Sequence, residues 1–306
     1  MGFKLLITVL LLSISPLQAS DKLVVFIPGS GSSGDRMSDV GYSRVLTWLG
    51  MNQYFRVFQK QLKKKKIPSM VCPKTPDRDQ RSIEERQEEC AEMIAASRFC
   101  KKGKLKGKII LFGHSMGGLV ARLLAHDPRV KECIHSITTL STPHRGSVLA
   151  DYAFEHLYDG SKIDLIRIIT KVLGFDPENK RYLLQMKSNH KGYSIDYFRS
   201  QTIPKNHRVA YYSFSTSFEK TWFFPLKITG ALIRNELLKR GWGSEYFNGD
   251  NDGIIPTYSQ IYGRHVGHIE TTHWEAVCPD VFSKTKGCKR GREIILPHLY
   301  SLYSSR

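Results

Sequence analysis

A serine set among glycines is the residue in this chain best placed to do chemistry. Ser115 stands in Gly113-His114-Ser115-Met116-Gly117-Gly118, directly after the apolar run Ile109 to Phe112 and directly before Leu119-Val120-Ala121-Arg122. The apolar run predicts a strand covered on both faces, the glycines remove side chains that would crowd a tight turn, and the residues beyond predict a helix. A serine at the tip of such a turn presents its hydroxyl beside the first helical N–H groups, where the helix dipole favours a forming anion. That is how a nucleophile is built.

A serine hydroxyl attacks poorly unless a base takes its proton, and the base needs a third group to hold its ring. After such an elbow the acid comes next in the chain and the histidine last. The clearest acid is Asp252, in the polar turn Gly249-Asp250-Asn251-Asp252-Gly253 that opens onto Ile254-Ile255-Pro256, with Asp250 as the alternative. Four histidines follow, His265, His268, His273 and His298. His273 lies in the loop signal Thr271-Thr272-His273-Trp274, whereas His265 and His268 read as residues on or beside a strand, and His268 is the alternative base. An oxyanion needs two N–H donors. Met116, the residue after the nucleophile, supplies one, and the other is expected from the small-residue loop Pro28 to Gly34, with Ser30 ahead of Gly31.

The elements that must position these residues are legible as apolar runs at Leu23 to Ile27, Met70 to Cys72, Ile109 to Phe112, Ile134 to Leu140 and Val209 to Phe214, with helical patterns between the early ones. This alternation predicts an α/β fold with a mostly parallel sheet flanked by helices. Ser82 and Glu85 stand in capping-box spacing and start one helix, and a second amphipathic pattern covers Ser43 to about Lys65. From about residue 147 to 205 the strand rhythm gives way to apolar helical patches such as Ile163 to Leu173, which read as a lid or cap inserted into a single domain spanning 20–306.

Residues 1–19 have the pattern of a secretion signal, with Lys4 before an apolar run from Leu5 to Ile14 and the small-residue site Leu17-Gln18-Ala19. The chain is therefore expected to be secreted or periplasmic. Its 306 residues carry 46 Lys and Arg against 28 Asp and Glu, a formal charge of +18. The basic residues bunch at Lys60 to Lys66, Lys101 to Lys108 and Lys284 to Arg292, which would draw the protein to an anionic lipid or membrane surface. No aromatic-interleaved basic groove favours nucleic acid. Six cysteines in an exported chain predict disulfides. Cys278 and Cys288, bracketing a short Lys-rich stretch, are the most readable pair, while the pairing of Cys72, Cys90, Cys100 and Cys133 stays open. No zinc spacing is present.

The loop that would supply the second oxyanion donor also spells Gly29-x-Gly31-x-x-Gly34 after a strand, the pattern of a dinucleotide site. The stretch Trp48 to Tyr54, where an acidic residue should close a second strand, has none, and Pro28 ends the strand. Asp35 and Arg36 follow Gly34 where a phosphate loop requires Lys and Ser or Thr. No nucleotide cofactor is expected.

With these residues in place, the chain resembles the secreted true lipases of Gram-negative bacteria, which are α/β-hydrolases. The likeness lies in Val24 to Gly31 (VVFIPGSG), Gly113 to Arg122 (GHSMGGLVAR), Ile137 to Ser147 (ITTLSTPHRGS), Asn251 to Ile255 (NDGII) and the Thr-His-Trp loop. The elbow is also similar to that of GPI-inositol deacylase-like hydrolases. The resemblance implies hydrolysis of lipid acyl esters, most directly triacylglycerol, by Ser115, His273 and Asp252 with Ser30 and Met116 as oxyanion donors. A dedicated folding helper is a further possible partner. Alternatives on the same triad are a phospholipase and a lipid acyltransferase, and an alternative of another class is a non-catalytic surface-binding protein. The chain departs from the family at Pro28, where a histidine is usual. The resemblance also raises a structural calcium near the histidine loop, for which Glu275 stands at one ligand position while Pro279 replaces the expected amide side chain.

Overall fold

Five of the six strands are the apolar runs expected from sequence, and every pairing between them is parallel. The computed structural model describes residues 22–29, 55–72, 81–101, 106–156, 184–188, 209–221, 223–240, 249–279 and 282–305. The expected secretion signal, Ser30, most of the expected cap and the amphipathic pattern before Phe55 lie outside these residues. Within them the order is β1 (Leu23–Ile27), α1 (Arg56–Lys64), β2 (Ser69–Val71), α2 (Ile83–Ala96), β3 (Ile109–His114), α3 (Met116–Leu124), β4 (Ile134–Leu140), α4 (Val148–His156), β5 (Ala210–Ser217), α5 (Phe224–Lys239), β6 (Arg264–Glu270) and α6 (Lys286–Ser304).

The sheet runs β2-β1-β3-β4-β5-β6, so the chain starts at β1, steps to one side, and crosses back to β3 on the other. Ile27 pairs with Gly113, which brings the carboxyl ends of β1 and β3 side by side at the reversal. In open parallel sheets ligands bind at that crevice. All five residues of β1 and all six of β3 are buried, as strands covered on both faces must be. Alternate residues feed two cores. Val25, Ile27 and Leu111 pack with Cys90, Ile94, Leu119 and Val120 of α2 and α3. Val24, Phe26, Ile110 and Phe112 pack with Phe58 and Leu62 of α1 and with Ile295, Leu299 and Leu302 of α6. β6 is the sixth strand, and its residues are mostly exposed because it forms one edge of the sheet.

The capping box at the start of α2 forms as read from sequence. The Ser82 hydroxyl accepts from the Glu85 N–H while the Glu85 carboxylate accepts from the Ser82 N–H at 2.6 Å. The Cys278–Cys288 bridge also forms, and it fixes the turn after the Thr-His-Trp loop to the first turn of α6. The remaining four cysteines pair as Cys72–Cys90, joining the end of β2 to α2, and Cys100–Cys133, joining the chain after α2 to the start of β4.

These bridges close loops of different length, with sequence separations of 33 for Cys100–Cys133 and 10 for Cys278–Cys288. Replacing each pair by alanine is expected to lower the unfolding free energy by about 3 kcal/mol, with the longer loop costing about 1 kcal/mol more. Urea unfolding of the two double variants checks this. The reverse order would show that loop entropy is not the leading contribution.

Candidate active site

The turn after β3 is built by three glycines that each stand where a side chain cannot. A Cβ on Gly113 would lie 2.5 Å from the Gly118 Cα, and one on Gly117 would lie 2.1 Å from the Ile27 carbonyl oxygen. One on Gly118 would lie 2.0 Å from the Thr142 Oγ1. Because these contacts are open only to glycine, α3 begins against the ends of β1 and β4. Ser115 holds the bend with φ 53° and ψ −131°, a positive-φ conformation that costs a non-glycine residue roughly 1 to 3 kcal/mol. Its N–H donates to the Leu140 carbonyl and its carbonyl accepts from the Gly118 N–H, so the strain is locked in by neighbours. Met116 is the first residue of α3.

Asp252 and His273 meet. The His273 Nδ1 lies 2.7 Å from the Asp252 Oδ2, and the His273 N–H donates to the Asp252 carbonyl at 2.9 Å. Both side chains are buried. A carboxylate has about four acceptor positions, and all four are filled. Oδ1 accepts from the N–H groups of Ile254 and Ile255, while Oδ2 accepts from the Thr216 hydroxyl and from His273. In the tautomer that donates its Nδ1–H to Asp252, Nε2 is the acceptor nitrogen of the ring. Asp250, the alternative acid, is exposed.

His273 is carried to the elbow by the residue next to Ser115. His114 donates from Nε2 to the His273 carbonyl at 3.0 Å, and the two rings lie 4.6 Å apart. The pKa of His114 is held well below the usual 6.5, first by burial and then by His273. His268, the alternative base, stands elsewhere, on β6. Its Nδ1 is 2.9 Å from the Ser215 hydroxyl and its Nε2 is 3.0 Å from the Ser217 hydroxyl. Ser215 also bonds His265.

Several residues that frame the site carry no sequence motif. Gln260 bonds both the N–H and the carbonyl of Thr216 and also the Ile255 carbonyl, so it ties the end of β5 to the acid turn. Arg86, fully buried on α2, donates to the carbonyls of Pro28 and Gly29 at 2.7 and 3.1 Å. It grips the start of the loop in which Ser30 stands. The glutamine and arginine could not have been found by pattern, since the Gln260–Thr216 bonds cross 44 residues and the Arg86 bonds 57 and 58.

The block Ser141 to Ser147 is a clamp between the elbow and the acid turn. Thr142 receives Gly118, and the Ser147 hydroxyl donates to the Ile254 carbonyl at 2.8 Å. The Arg145 guanidinium donates to the carbonyls of Tyr258 and Ile261, and the Ser259 hydroxyl donates to the Gly146 carbonyl. His144 accepts at Nδ1 from Arg122 and donates from Nε2 to Thr139, under a Tyr262 ring that stacks on the imidazole and carries the Arg122 guanidinium at 3.8 Å. Burial, then Arg122 and Arg145, hold the His144 pKa well below 6.5.

Glu275, the residue at the expected calcium-ligand position, is turned into its own loop, where its carboxylate accepts from the Thr272 hydroxyl at 2.9 Å. Among the described residues no group of three or more His, Cys, Asp or Glu could hold a metal.

Comparison with known proteins adds an independent line. Residues 18–164 match the model of a PGAP1-like alpha/beta domain, a span that contains Ser115 and stops before Asp252 and His273. The chain is 27% identical over 260 residues to triacylglycerol lipase 2 of Saccharomyces cerevisiae, covering 81% of this chain and 69% of that one. Among solved structures it is similar to the mature form of a Bacillus licheniformis lipase, with a TM-score of 0.60 at 17% identity over 93% of this chain and 92% of that one. It is also similar to Staphylococcus hyicus lipase, with a TM-score of 0.58 at 14% identity over 93% and 96%. At these identities the structural likenesses establish the fold.

His114 and His144 generate a pH prediction. Both stay neutral in the folded protein, whereas in the unfolded chain they take up protons as pH falls through about 6.5. The unfolded state then binds more protons, so this contribution to stability is intact above about pH 7 and is lost on acidification. Stability is expected to fall as pH is lowered from about 7.5 to 5.5, read by urea unfolding at each pH. Substituting asparagine at His114 should remove about half of that dependence, and an unchanged slope would exclude it as a source.

Proposed function

We propose that in this carboxylic ester hydrolase of the α/β-hydrolase superfamily Ser115 is the nucleophile, His273 the general base and Asp252 its orienting acid, and that the substrates are lipid acyl esters. The observation that carries the reading is the Asp252–His273 pair, held against the residue adjacent to Ser115. The strained elbow supports it, because a non-glycine residue persists in such a conformation only where the surroundings over-determine it.

The chemistry follows from the atoms. Nε2 of His273 takes the Ser115 hydroxyl proton as Oγ attacks the ester carbonyl, and the resulting oxyanion is met by the N–H of Met116 and that of Ser30. Collapse expels the alcohol, which receives the proton from the imidazolium, and leaves an acyl-enzyme. Water, deprotonated by His273, releases the fatty acid. Asp252 stabilises the imidazolium through Nδ1–H, and its other three acceptances keep it from swinging away.

Triacylglycerol is the first substrate to test, since the yeast relative is named for it. The surplus of basic residues favours an anionic phospholipid ester as the second. Three disulfides suit an exported protein. Among the described residues no helix is long and apolar enough to cross a membrane.

Replacing Ser115 by alanine is expected to lower kcat/KM on p-nitrophenyl esters by at least about 10⁴-fold, with unfolding behaviour unchanged. Asp252→Asn should cost a similar factor, chiefly in kcat. Turnover surviving in the alanine variant would reject the nucleophile. A series of acyl-chain lengths, run beside phospholipid vesicles, assigns the substrate class.

A further inference from the structure

The outward face of α5 is greasy where a solvated helix should be polar. The inward residues Leu226, Thr229, Gly230, Ile233, Glu236 and Leu237 are buried. The helical period leaves Phe224, Lys227, Ala231, Arg234, Asn235, Leu238 and Lys239 outside this inward set, all exposed, with no exposed acid among them. Phe224 is 66% exposed and Leu238 57%, far beyond Ile294 at 37% and Val266 at 36%, the other large apolar side chains exposed among the described residues. Phe224, Ala231 and Leu238 recur every seven residues, so they form one stripe roughly 20 Å long.

The charge on this face has one sign. Lys227 and Arg234 flank the stripe, Lys239 closes it and Lys220 precedes it. The helix's one acid, Glu236, is buried and paired with Lys239 at 2.8 Å, and the exposed Glu219 lies before the helix. An apolar stripe bordered by cations is the pattern of a helix that lies in a lipid–water interface.

We propose that the outer face of α5 docks the protein on an anionic phospholipid surface. The inference rests on the lipid-ester reading above and adds where the lipid is met. A second copy of the chain fits this face poorly, because a two-fold contact would set its cations against themselves. Lipid headgroups carry the opposite charge, and acyl chains accept a shallow Phe and Leu without shape matching.

The helix is also tied to the site. The Thr229 hydroxyl donates to the Gly253 carbonyl at 2.5 Å, and the Asn251 side-chain amide donates to the Gly230 carbonyl at 3.1 Å, so its inner side carries the acid turn. At its N-terminus Phe223 packs edge-on against Trp274, the residue after His273, with centroids 5.5 Å apart. Arg240 pairs with the buried Asp151 at 2.8 Å and anchors the other end. Docking through this face would put the acid and histidine loops one helix thickness from the lipid, about 10 Å.

The test is sedimentation of the full chain with vesicles of phosphatidylcholine alone or mixed with phosphatidylglycerol, in a Ser115→Ala background that cannot consume them. The doubles Phe224→Ser/Leu238→Ser and Lys227→Glu/Arg234→Glu are expected each to weaken binding to the anionic vesicles at least about tenfold. Salt should weaken it further. In the unmutated background both doubles should hydrolyse a water-soluble short-chain ester within about twofold of the parent. Unchanged vesicle binding in both doubles overturns the proposal. So does a concentration-dependent dimer of the parent that the doubles abolish, which would assign the face to a second copy. Ester turnover lost together with binding would make the face structural and overturn it as well. Turnover surviving Ser115→Ala would reject the catalytic reading while leaving the vesicle result standing.

Discussion

The backbone of α3 touches the backbone of β1 at Gly117, and the rest of the site is arranged around that contact. A methyl group there would sit inside the Ile27 carbonyl. Interiors are packed too tightly to absorb such an overlap, so any side chain would push α3 outward and open the turn that holds Ser115. The same approach sets the start of the Ser30 loop against the start of α3. Arg86 grips that loop from the other side through the Pro28 and Gly29 carbonyls.

A second constraint is the satisfaction of buried polar groups. Asp252 is fully buried, and a carboxylate there is tolerable because each of its acceptor positions is filled. Each partner is itself held. Thr216 is clamped by Gln260 and Ser141, and Ile254 by the Ser147 hydroxyl. The Ser141 to Ser147 block therefore spends its specific residues on fixing the acid turn to the elbow, which is why its residue types are so particular without being required by sheet packing alone.

Most of the architecture could be read in advance because its causes are local. Strands buried on both faces favour continuous apolar runs, and β1 and the first four residues of β3 are such runs, while β4 is legible from its β-branched Ile and Thr residues. The capping box and the elbow glycines are likewise short-range devices. β6 left a fainter trace, since an edge strand is half solvated and its sequence, Arg264 to Glu270, is largely polar, with Val266 and Ile269 its two β-branched residues. Arg86 and Gln260 left none. A buried arginine and a buried glutamine look like surface residues until their partners are known.

The sequence by itself determined the α/β alternation, the strand-turn-helix around Ser115, the acid turn and the Cys278–Cys288 bridge, because each depends on residues within a few turns of one another. Only the tertiary structure decided the pairing of Cys72 with Cys90 and of Cys100 with Cys133, and that His273 rather than His268 meets Asp252. Those choices turn on which distant segments the sheet order brings together. His265, His268 and His273 stand within nine positions of one another, yet the first two face the serines of β5 while the third passes beyond the edge strand and returns to the elbow. Spacing along a chain cannot distinguish such destinations, because the direction a loop takes after a strand is set by what packs beneath it.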